Sequence, residues 1–165
     1  MSQGSSSLIE RAKRLPISAK IFAISFNTKV IDDFPLVRTV KSDRWDFIIT
    51  VAGIFVATSQ LNHEPLDDDV KNVIREAASH AAAQWNPKAV EAIEDCTQFV
   101  NRTYDRLQSS REYSGETQFL FSDSLGFWVV SNLLDQGPES DAEGQLVRSL
   151  GATLVHTFMN WWKDG

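Results

Sequence analysis

The amino-acid sequence predicts an all-α fold, a single bundle of about five or six helices, and three observations point there. Residues 45–58, WDFIITVAGIFVAT, form a nearly continuous apolar run. Apolar residues from Leu66 onward recur at helical spacing. Two later segments open with residues that favour helix starts, Asn86-Pro87 and the tetrad Ser140-Asp141-Ala142-Glu143.

Taken in order, residues 5–14, SSSLIERAKR, read as a short helix stopped ahead of Pro16. Residues 19–35 fit either a helix or an edge strand, because Ile, Val, Phe and Thr serve both. That ambiguity leaves one competing architecture, an α+β fold in which residues 19–58 pair into a small antiparallel sheet beneath the four later helices. The 45–58 run favours helix, since it exceeds a typical strand of about 5–6 residues and Ser42 or Asp43 offers an N-cap. It is too short to cross a bilayer, which takes about 20 apolar residues. On a helical wheel its side chains are apolar nearly all round, so it belongs at the centre of the bundle. The exception is a narrow strip holding Asp46, Thr50, Gly53 and Ala57.

Residues 66–85 place Leu66, Val70, Val73, Ile74, Ala77, Ala81 and Trp85 on one face, and the aspartates 67–69 at the first turn complement the helix dipole. In the next helix Asn86 is the N-cap and Pro87 the first helical residue, where a missing N–H costs nothing. Ile93, Thr97, Val100 and Tyr104 line its inner side, opposite Glu91, Glu94 and Asp95. Residues 108–118 read as an exposed loop. A short apolar helix from Ser122 is expected to close at Gly137 and Pro138. The last helix carries a capping box, Ser140 with Glu143, and two adjacent apolar stripes that end in Trp161 and Trp162. Glycine in a helix costs about 1 kcal/mol relative to alanine. Gly53, Gly126 and Gly151 therefore mark places where another backbone comes close.

At 165 residues the chain has the size of one domain, and no repeat or internal linker divides it. Residues 1–44 hold eight Lys and Arg against four Asp and Glu, whereas residues 45–165 hold eight against eighteen, giving the net charge of −6. The basic front either packs on the acidic body or, over residues 1–15, forms a mobile arm for an anionic partner. With one cysteine, Cys96, neither an internal disulfide nor a cysteine metal site can form, and no apolar segment near the start has signal-peptide length. A cytoplasmic location is expected.

No catalytic signature emerges: there is no phosphate loop, no nucleophile elbow and no metal-binding His-Glu-x-x-His spacing. Neither a metal nor a cofactor is expected. Asp46 and Thr50 are ligand-binding candidates, because a carboxylate on an apolar helix must be capped, paired or functional. Glu76 and His80, four residues apart on one helix, are a second candidate pair. Glu91, Glu94 and Asp95 form an acidic face, and Trp161-Trp162 lies near the chain end, where a tryptophan pair can anchor a partner. The function these observations favour is a small acidic protein-protein interaction domain, of the inhibitor or immunity-protein type, whose partner is basic. A homodimer through the C-terminal helix is compatible with it. The alternative is an all-α enzyme or small-ligand-binding bundle with its pocket near Asp46. Nucleic acid is disfavoured by the net negative charge.

Overall fold

The computed structural model describes residues 3–109 and 120–163. Six α-helices follow in order: α1 (Gln3–Asp33), α2 (Ser42–Gln60), α3 (Asp68–Trp85), α4 (Ala89–Ser109), α5 (Leu120–Leu134) and α6 (Asp141–Phe158). Short 3-10 turns occupy Pro35–Thr39 and Leu61–His63. No strand occurs among the described residues, so the fold is the expected all-α bundle, and the alternative sheet over 19–58 does not form. Of the loop expected over 108–118, the first two residues finish α4 and the rest fall outside the described residues.

The front of the chain departs furthest from the sequence reading. The short helix expected to stop before Pro16 instead continues to Asp33, with Pro16 inside it. An interior proline costs about 3 kcal/mol or more, because a backbone bond is lost and the ring crowds the carbonyl four residues back. A buried stripe crosses the proline unbroken and offsets that cost: Ala12, Leu15, Ala19, Ala23, Phe26 and Val30 are each at most 8% exposed. The stripe also settles helix against strand. In a strand Ala19, Ile21 and Ala23 would share one face, yet the two alanines are fully buried while Ile21 is 64% exposed. Residues 3–15, the arm of the sequence reading, are the first turns of this helix.

Helix α2 packs against all five other helices and is the central element. Every residue from Ile48 to Ala57 is buried, as an all-round apolar surface requires. Two tryptophans pin its ends: the Trp45 indole N–H donates to the Ala23 carbonyl at 2.7 Å, and the Trp162 indole N–H donates to the Ala57 carbonyl. The N-cap position falls on Lys41, with Ser42 and Asp43 inside the first turn.

Helices α5 and α6 make the closest crossing, and glycine permits it. A Cβ added at Gly151 would sit 2.0 Å from the Ser122 carbonyl oxygen, and one at Gly126 would sit 2.0 Å from the Val147 carbonyl oxygen. At Gly53 an added Cβ would lie 2.8 Å from the Phe158 ring. Gly126 and Gly151 therefore mark close backbone approaches, as their sequence context implied, whereas at Gly53 the neighbour is a side-chain ring and not a backbone. Helix α5 ends earlier than expected, on Asp135 in the left-handed region (φ 58°), ahead of Gly137. The cap of α6 forms with one change of partner. Ser140 Oγ accepts from the Glu143 N–H at 3.1 Å, while the Glu143 carboxylate accepts from the N–H of Glu139 in place of that of Ser140.

Candidate functional site

Asp46 lies in the second turn of α2, half-buried, with no hydrogen bond or ion pair among the described residues. Burial pushes its carboxyl above the usual carboxylate range, Lys20 opposes that rise, and Asp43 adds to it. Thr50, one turn on, is fully buried, and its hydroxyl has no partner among the described residues. Three cavities built from described residues lie at the C-terminal end of α2, at the α5–α6 junction and between α2, α3 and α4. None of them is lined by Asp46 or Thr50.

Glu76 and His80 are both exposed on α3, outside those cavities. Glu91, Glu94 and Asp95 are exposed along α4, but Asp95 has a partner: its carboxylate accepts from the Trp128 indole N–H at 2.9 Å. Beside it, burial pushes the Cys96 thiol well above its usual value, with Asp95 adding to the effect. That thiol is an inert core group. Of the tryptophan pair, Trp162 is 5% exposed and bonded to α2. Trp161 is half-buried, with the Arg11 guanidinium 5.3 Å from its ring centre. Both rings brace the chain end against the bundle. No group of three or more His, Cys, Asp or Glu among the described residues is placed to hold a metal ion.

Two other features stand out. The first is the outer face of α1, where Ile17, Ile21 and Ile24 are 61%, 64% and 53% exposed. The spacing i, i+4, i+7 puts them side by side on the face opposite the buried stripe. Lys13, Arg14 and Lys20 flank them, and Glu10 on the same face pairs with Lys13 at 2.9 Å. Single exposed isoleucines are ordinary on a protein surface; a contiguous row with a charged border is the less usual observation.

The second feature is a groove of about 1030 Å³ at the C-terminal end of α2, reached also by α3, α4, α5 and α6. Its apolar part includes Phe55 and Phe121, stacked at 5.8 Å, with Val155 and Met159. Its polar rim includes His63, Arg75, Tyr104 and His156.

Comparison with protein-family models, curated proteins and solved structures finds no match. Function must therefore be argued from these surfaces alone. No helix among the described residues is long and apolar enough to cross a membrane.

Sequence reasoning missed both features, for different reasons. The isoleucine row carries a legible signal, three identical side chains at helical spacing between lysines, but it straddles the segment whose helix or strand state was open. The groove has no local signal. Its walls come from five helices and a 3-10 turn, and Arg75 and Met159 look like ordinary surface positions of their own helices.

Proposed function

We propose that this chain is a protein-protein interaction module that docks through the outer face of α1 onto an acidic amphipathic helix of another protein. The observation that carries the reading is the exposed row Ile17, Ile21 and Ile24 between Lys13, Arg14 and Lys20. Stable interfaces need an apolar centre that excludes water and a polar rim that fixes orientation, and this face supplies both on one rigid helix. Residues at i, i+4 and i+7 line up along one helix face, where the apolar stripe of a partner helix can pack against them. The basic border selects an acidic rim on the partner and speeds encounter.

The acidic face of α4 offers charge for a basic partner but little apolar centre, since Val90 at 40% is the exposed large apolar residue beside it. A second copy of this chain meeting α1 to α1 would bring the same basic borders together, and like charges oppose that pairing.

The test is a quantitative pull-down from the source cells with immobilised wild type and an Ile17→Ser, Ile21→Ser, Ile24→Ser variant, at low and high salt. An acidic protein held stoichiometrically by wild type, released by salt and absent from the variant is the expected result. Equal recovery on both, recovery of basic proteins alone, or isoleucine-dependent binding to phosphatidylserine vesicles in place of a protein would overturn the proposal.

A further inference from the structure

Independently of the docking face, we infer that the groove at the C-terminal end of α2 is a binding site for an apolar molecule with an anionic head group, a carboxylate or a phosphate ester. The volume of about 1030 Å³ lies at the upper end of what small-molecule sites usually enclose, roughly 300–1,000 Å³. Phe55, Phe121, Val155 and Met159 give an apolar body somewhere to lie, and Met159 is 45% exposed there although it is a large apolar residue.

The head group is chosen by Arg75. This residue is half-buried on α3, and its guanidinium donates to two neutral amides, the Asn72 side-chain oxygen at 3.1 Å and that of Asn62. No carboxylate neutralises it among the described residues, where the ion pairs are Lys13–Glu10 and Arg44–Asp135. Its planar guanidinium fork suits a carboxylate or phosphate. None of the described residues lining the groove is acidic, in a chain whose net charge is −6. Two imidazoles, His63 and His156, and the Tyr104 hydroxyl add polar groups around the guanidinium.

One effect opposes an anion. Helices α2 and α6 both end at the groove, and each C-terminus carries about half a negative charge. At α2 this is blunted, because the Leu61 N–H caps the carbonyls of Thr58 and Ser59 and the Trp162 indole takes that of Ala57. A full guanidinium charge outweighs what remains.

The three histidines make the test specific, since His63 and His156 line the groove and His80 stands outside it. Imidazole proton resonances would be followed while titrating decanoate, decyl phosphate, decanol and inorganic phosphate. The expected result is that one or both anionic amphiphiles shift His63 and His156 and leave His80 in place, the tighter of the two naming the head group. Decanol should bind at least about tenfold more weakly, the fold-change of one lost charge-assisted hydrogen bond, and inorganic phosphate should be weakened at least as much by loss of the buried alkyl chain. Arg75→Gln should weaken the anionic probe by a similar factor while leaving decanol unchanged. Met159→Glu, a change at an exposed position, should weaken decanol through lost apolar contact and the anionic probes further by repulsion, even if Arg75→Gln fails to fold. No shift with any probe, all three histidines moving together, or variants that bind the anions as wild type does would overturn the inference.

Discussion

Helices α1 and α5 both carry more apolar residues than a surface helix needs, and the bundle treats them in opposite ways. Every residue of α5 from Ser122 to Gly126 is buried, because Gly126 and Gly151 let the backbone of α6 close directly onto it. Helix α1 buries one stripe, and its three outer isoleucines stay in solvent. Apolar content therefore does not determine burial by itself. A neighbour with small residues must be there to close the gap, and where none is, the surface is left for something else.

The sharpest way to break this contrast is to reopen the α5–α6 seam. Gly151→Ala places a methyl 2.0 Å from a backbone oxygen that no rotamer change can move away. Despite the gain in helix propensity it should cost about 3 kcal/mol or more in urea denaturation. An alanine tolerated at this position would mean that the two helices do not cross at these glycines.

Next in size is the contact between α4 and α5. Asp95→Ala strands the Trp128 indole N–H and should cost about 1–2 kcal/mol, whereas Glu91→Ala and Glu94→Ala should each stay within about 0.5 kcal/mol. Equal effects from the three would remove the structural role assigned to Asp95. A gain is expected at Gly144, where an added Cβ meets nothing within 4 Å. Gly144→Ala should stabilise by up to about 1 kcal/mol through helix propensity alone, and a loss there would show that the first turns of α6 are packed more tightly than this.

Asp46 gives the smallest effect and a definite sign. Its carboxyl is raised chiefly by burial, so between the ordinary and the raised value the folded chain binds more protons than the unfolded one. Stability then falls as pH rises through that window and stays reduced above it. Asp46→Asn should raise the melting temperature slightly at neutral pH and match wild type at about pH 3, below both values. A stabilisation that persists unchanged at the acid end would assign the gain to something other than charge burial.

Much of this bundle is legible in the sequence where local chemistry decides. The apolar wheel of α2 declares a central helix, Ser140 and Glu143 declare the start of α6, and the glycines declare close approaches. Where tertiary packing overrides a local rule, the sequence misleads. Pro16 reads as a stop, yet the stripe from Ala12 to Val30 carries α1 through it. Asp46 and Thr50 lie in the first half of α2, whereas the groove at its C-terminal end is built from residues that no sequence window brings together. Trp161 and Trp162 fit inward stripes and read as core before they read as an anchor, and the Ala57 carbonyl and Arg11 show what they pack against.

The central claim is that the outer isoleucines of α1 serve a partner and not the fold, and urea denaturation of the Ile17→Ser, Ile21→Ser, Ile24→Ser variant tests it most directly. Serine has nearly the helix propensity of isoleucine, so side chains already largely in solvent should change the unfolding free energy by no more than about 1.5 kcal/mol for the three together, about 0.5 kcal/mol each. A loss of several kcal/mol would contradict the claim, because it would place those three side chains inside the folded chain's own core.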